Sequence, residues 1–134
     1  MTRVALLLLH AVLGVAALAA GQAFVRHPDG RDLAMDSRWL EGSPFPDFRI
    51  PGLFMVLVIA PANLASALLL ARRRRGGPYL SLATGLLLVA WLAIQTAILG
   101  VRHWSQVLWW VVFPLVALLG ARELHARRTE EHRG

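Results

Sequence analysis

The sequence predicts an all-α membrane protein: a four-transmembrane-helix bundle with an ordered outer loop between helices 1 and 2. Three observations carry this reading. Four apolar blocks of about membrane length hold most of the 57% hydrophobic content of the 134-residue chain. Nearly all of the charge lies between those blocks. The one long connection, residues 25–49, carries prolines and aromatic residues where a flexible spacer would use glycine and serine alone.

The length fits a single membrane domain over residues 1–134. Soluble domains are about 45–50% apolar, and this chain exceeds that with a mean hydropathy of +0.55. A soluble core of this size has no room for so much continuous apolar surface, so lipid is the expected solvent. The net charge of +6 and pI near 11.6 do not point to nucleic acid. The basic residues sit beside the apolar blocks, where they meet headgroups or fix topology, and no basic face with interleaved aromatics remains. There is no cysteine, which excludes disulfides, thiolate metal sites and thiol redox chemistry. All fourteen basic residues are arginine, and with abundant Ala, Leu and Gly this is the composition of GC-rich bacterial coding.

The expected spans are 4–24, 50–71, 79–99 and 104–121, and even the last reaches the roughly 17-residue lower limit for a spanning helix. An open sheet in lipid would leave backbone groups unpaired, so each span is a helix. The first block also mimics a signal peptide, with Arg3 as its positive start and small residues over Ala17 to Gly21. Its length favours a retained helix. Arginine sets the orientation. Nine lie on the expected cytoplasmic side (Arg3, Arg72 to Arg75, Arg122, Arg127, Arg128, Arg133) and five outside (Arg26, Arg31, Arg38, Arg49, Arg102). The chain is therefore expected to be multi-pass in the cell membrane with both termini cytoplasmic. Gly76, Gly77 and Pro78 read as a short turn joining spans two and three, with Tyr79 at the interface. The tail 122–134 reads as a solvated continuation of the fourth helix that frays toward Gly134.

The outer loop begins with a Pro28-Asp29-Gly30 turn, and Asp32 to Leu40 suits a short amphipathic helix. Pro44 and Pro46 then stiffen the chain. Phe45 and Phe48 are expected to be buried at the interface, and Pro51 suits the first turn of span two. Such a cap either closes the bundle or lines a binding site, and the sequence leaves both open.

Here the chain resembles a known group. Trp39-Leu40-Glu41-Gly42-Ser43-Pro44-Phe45, then Asp47-Phe48, then Ile50-Pro51-Gly52-Leu53, is similar to a loop motif in a family of small four-span bacterial membrane proteins of uncharacterised function. A Trp and a Gln one turn apart in the third span, as at Trp91 and Gln95, also recur there. Arg49 departs from the apolar residue expected at its position. The resemblance implies a fold and no activity.

Polar side chains within a span are costly and are functional candidates by default. His10 lies in the inner part of span one and Asn63 in the inner half of span two, just after Pro61. The two fall at similar depth and are a candidate pair, and Asn63 also suits the carbonyl that Pro61 frees one turn earlier. Gln95 lies in the outer third of span three, on one stripe with Thr84, Leu88 and Trp91. The expected ligand-binding set is Trp91 as floor, Gln95 as hydrogen-bonding group, and Phe45 to Phe48 as roof, with Glu41 and Asp47 as paired carboxylates. Alternatively Gln95 caps backbone groups of the loop, and Asp47 caps a turn.

No hydrolase, phosphate-loop or zinc motif is present. One intramembrane histidine cannot build a metal site, and His103, His125 and His132 lie in a loop and a tail. No catalytic residue, metal or cofactor is implied. The candidate partners are the lipid bilayer, a second copy of the chain or another membrane protein, and not nucleic acid. Three functions follow in order of expectation. The first is an accessory protein packing through Gly14, Ala17, Gly21, Ala62 and Ser66; the second is a binder or carrier of a lipid or small hydrophobic molecule beneath the cap; the third is a membrane enzyme using the cap carboxylates.

Overall fold

The computed structural model describes residues 2–101 and 104–133. Arg102 and His103, assigned above to the outer side, lie outside the described residues. Four helices make the fold: α1 (Thr2–Arg26), α2 (Arg49–Ala71), α3 (Gly76–Leu99) and α4 (Trp104–Arg133). All four are long and apolar enough to cross a membrane, and among the described residues there is no strand. α1 packs on α2, α2 on α3 and α3 on α4, while α4 only grazes α1. Leu6, Leu13, Leu88, Leu92 and Val116 form the centre of the core.

Lipid tails are as apolar as leucine, so helices in a bilayer associate through close packing and polar contacts. Glycines supply the close packing. A Cβ on Gly21 would stand 2.8 Å from the Gly52 carbonyl, and one on Gly52 would stand 3.0 Å from the Gly21 carbonyl. That reciprocal contact sets α1 against α2. On the other side of the bundle a Cβ at Gly85 would lie 2.7 Å from Ala117 Cα, and one at Gly120 would lie 3.0 Å from Leu82 Cα. These backbone-to-backbone contacts hold α3 against α4. Gly14 and Gly21 are thus turned inward onto α2, and Ala17 and Ser66 are buried. Four of the five small residues expected to receive a partner thus pack inside the chain, and the fifth, Ala62, is half-buried.

α2 is not a regular helix throughout. Met55–Ile59 forms a π turn, in which the Ala60 N–H bonds to the Met55 carbonyl. It lies directly before Pro61, which has no N–H to continue the α-helical ladder. The connection to α3 also differs from expectation. Gly76, Gly77 and Pro78 form the first turn of α3, where proline's fixed φ is suited. The reversal falls within the arginines, with Arg73 at φ 54°. Arg127 of α4 holds it by donating from Nη1 to the Arg74 carbonyl (2.8 Å) and from Nη2 to the Arg73 carbonyl (2.9 Å). Arg3 Nη1 donates to the Leu70 carbonyl at 2.9 Å. The two chain ends and the α2–α3 turn therefore converge at one end of the bundle, and α4 stays helical through Arg133.

At the opposite end the 27–48 connection packs on α1 and α3. It contains two short 3-10 turns, Arg31–Leu33 and Ser37–Leu40, in place of the expected amphipathic helix over 32–40. Ala34 at φ 55° breaks the helical path between them, and Asp36 caps the second turn by accepting from the Arg38 N–H. Arg38's guanidinium, and then its backbone N–H, hold the Asp36 carboxyl below its usual range. Phe48 is buried against Phe24, with ring centroids 4.9 Å apart, and joins Leu40 and Leu99 in a second apolar cluster. Phe45 is only half-buried beside it. The Phe48 N–H donates to the Pro28 carbonyl (2.9 Å), tying the end of the connection to its start.

Gly85→Val is expected to force α3 and α4 apart and to cost about 1–3 kcal/mol, the usual range for overpacking. Gly76→Ala, where a Cβ meets nothing closer than 4.0 Å, serves as control. Equal melting temperatures for the two variants in detergent would contradict the Gly85–Ala117 contact.

Candidate functional site

The bundle's polar groups divide into two zones. In the arginine-end half, His10 is fully buried, and Asn63 and Ser81 with it. His10 Nδ1 lies 2.8 Å from Asn63 Oδ1, and Nε2 lies 2.7 Å from Ser81 Oγ. The Asn63 Nδ2 donates to the Ile59 carbonyl at 2.9 Å, which leaves Oδ1 as the atom facing the imidazole. Nδ1 must then carry a proton, and in neutral imidazole Nε2 accepts from the Ser81 hydroxyl. Beside this chain Ser66 donates to the Ala62 carbonyl (2.8 Å) and meets Thr84 Oγ1 at 3.1 Å. α1, α2 and α3 are thereby joined by side chains with no buried polar atom left over among the described residues. The His10–Asn63 pair is as anticipated. Asn63 uses its own helix's Ile59 carbonyl and not the one that Pro61 frees. Ser81 was missed, although a buried histidine needs a partner on each nitrogen and Ser81 lies one turn before Thr84 on the same face.

The loop-end half is open. A cavity of about 550 Å³ lies between α1 and α4, closed behind by α2 and α3. Leu13, Leu88 and Phe113 line its deep end. Ala16, Ala17 and Ala20 give α1 a low wall facing Trp109 of α4, which stacks on Phe113 at 5.3 Å. Met55 and Ile59, at the two ends of the π turn, form part of the rear wall. π turns occur often at functional sites.

Trp91 and Gln95 both line this cavity. Trp91 stands in its wall, stacked on Phe54 at 4.8 Å, and Leu88 lies one turn deeper, so Trp91 is not the floor. Neither the Gln95 amide nor the Trp91 indole N–H makes a hydrogen bond among the described residues. The roof is not Phe45 to Phe48. It is the first limb of the connection, Arg31 to Met35, with Phe24 beside it. Phe48 acts at one remove, by stacking on Phe24. Arg31 Nε is 3.2 Å from an Asp29 oxygen, and His27 Nδ1 is 2.8 Å from Asp32. The Arg31 N–H, then its charge and side chain, hold the Asp29 carboxyl below its usual range.

Phe45 and Glu41 line a separate hollow of about 500 Å³ within the connection itself, over Ser37 to Pro46. Asp47 lines neither, and its Oδ1 accepts from the Arg49 N–H at 3.0 Å as a turn cap. The two carboxylates are therefore not a pair in one site. α4 contributes Gln106, which is buried and donates to the Gly100 carbonyl at 2.9 Å. The share of α4 in the wall was missed, because a uniformly apolar span gives no sign of which face turns inward.

No family model matches the chain, and no curated protein or solved structure matches it.

His10→Leu leaves Asn63 Oδ1 buried without a partner, at a cost of about 1–3 kcal/mol. Adding Asn63→Leu should cost less than the sum of the two single changes in a double-mutant cycle. Strict additivity in detergent unfolding would show that the two side chains are not bonded.

Proposed function

We propose that the protein binds a lipid or small hydrophobic molecule in the loop-end cavity between α1 and α4. One observation carries this reading: Gln95, a polar group in a hydrophobic span, lines a cavity of ligand size without a hydrogen-bond partner among the described residues. Sites for small molecules run about 300–1,000 Å³ and combine apolar walls with a few polar groups, and the cavity falls within that range. The accessory reading loses its main support, since Gly14, Ala17, Gly21 and Ser66 pack within the chain. The enzyme reading loses its carboxylate pair.

The proposed setting is the cell membrane, with the arginine end in the cytoplasm. Among the described residues that end carries nine arginines against Glu123, Glu130 and Glu131. The loop end carries Arg26, Arg31, Arg38 and Arg49 against five acidic residues. The excess of about six positive charges at one end, and the absence of a positive excess at the other once Arg102 of the sequence is counted, suit an anionic cytoplasmic surface. The cavity then belongs to the outer-leaflet half.

Two measurements test this. Reporter fusions after residue 76 and at the C-terminus should read cytoplasmic, and one near Gly30 external; a cytoplasmic signal at Gly30 would reverse the assignment. Ala20→Phe places a ring in the cavity. It should remove a lipid that co-purifies with the wild type by mass spectrometry, and leave the unfolding free energy within about the ±0.5 kcal/mol of a tolerated change. Wild-type protein that carries no retained lipid would count against the proposal.

A further inference from the structure

The cavity's shape and charge narrow the class of molecule that fits it; this step rests on the binding reading above. Its wall runs along α1 from Leu13 to Phe24, about 16 Å at 1.5 Å per residue. A volume of about 550 Å³ over that length makes the cavity a long, narrow slot. Such a slot suits a hydrocarbon chain laid along it, its carbons in contact with the apolar walls at about 3.5–4.0 Å.

The polar end constrains the head. Trp91 and Gln95 offer only neutral groups, an indole N–H and an amide. The charges of the roof are taken up locally, Arg31 by Asp29 and Asp32 by His27. Arg31 is already paired with Asp29, so an anionic head gains little there. A cationic head would need a free carboxylate, and both already have partners. A charge brought into this site without a counter-charge carries a heavy desolvation cost. An uncharged oxygen would satisfy the Gln95 amide at no such cost. We propose that the cavity takes a hydrocarbon chain ending in an uncharged oxygen group, a hydroxyl or a carbonyl, held by the amide of Gln95.

The test uses the full chain in nanodiscs and a set of dibrominated dodecyl probes that differ only at the head: alcohol, methyl ester, plain alkane, sulfate and trimethylammonium. Bromine quenches tryptophan on contact, and the saturable part of the quenching that Trp91→Phe removes reports occupancy of the cavity. The alcohol and the ester distinguish a hydroxyl ligand from a carbonyl one. At least one should half-saturate at about fivefold lower mole fraction than the alkane, the value of one net hydrogen bond. The sulfate and the ammonium should do no better than the alkane. Gln95→Leu should erase the fivefold advantage and leave the alkane unchanged; Gln95→Met does the same job if the leucine variant does not fold. A charged probe that binds as well as the alcohol, or an advantage that survives both Gln95 variants, would overturn the head-group assignment while the cavity reading stands. If no probe, the alkane included, gives saturable quenching, the binding reading itself fails and this proposal with it.

Discussion

A histidine enclosed in an apolar bundle has two ring nitrogens to satisfy and no water to do it. In this chain that requirement fixes the arginine-end half. His10 reaches Asn63 on α2 through one nitrogen and Ser81 on α3 through the other, so three helices are held at one depth and one rotation. Single interhelical hydrogen bonds in membranes average about 0.6 kcal/mol. The contribution of this network is less to stability than to register, because an apolar contact can slide along a helix and a bonded imidazole cannot. Ser66 and Thr84 repeat the restraint one turn further along α2 and α3.

With that half fixed, the loop-end half follows from side-chain size. α1 presents alanines at positions 16, 17 and 20, while α3 and α4 present Trp91, Trp109 and Phe113 toward them. The rings are held off the centre by their own stacking, Trp91 on Phe54 and Trp109 on Phe113. α1 cannot close the gap, because the Gly21–Gly52 contact already sets its distance from α2. Small residues opposite tethered aromatics leave space, and the 31–35 limb covers it at the loop end.

How far all this is legible in the sequence depends on what kind of signal each feature leaves. The four helices are plain, since nothing else satisfies a backbone in lipid over twenty apolar residues. The pairing of His10 with Asn63 is nearly as plain, because two costly polar groups at one depth have few other partners. Trp91 and Gln95 share the cavity because a spacing of four residues places them on one helical face. The roof was misassigned for a local reason. The motif around Phe45 and Phe48 is conspicuous, yet those rings pack on Phe24 and the loop itself, and the limb over the cavity is the plainer Arg31 to Met35. The Gly-Gly-Pro reading failed in the same way: Pro78 was taken as a turn residue, when its fixed φ serves the opening of α3. Which face of α4 turns inward could not be read, because its apolar residues run all round the helix.

The contrast among the amides gives the cavity its meaning. Asn63 is tied to His10 and Ile59, and Gln106 to Gly100. Gln22, near the end of α1, is exposed at the loop end. Gln95 is half-buried in the cavity wall and has no such partner among the described residues. An amide in an apolar span costs several kcal/mol if nothing meets it, and about 1–3 even by the milder scales. A leucine at the same position would fill space at no such cost and keep α3 equally helical. A fold that satisfies every other deep amide has no packing reason to carry this one. Its place in the wall of the cavity supplies a reason of a different kind, because a hydrogen bond left open by the protein is one that a bound molecule can complete.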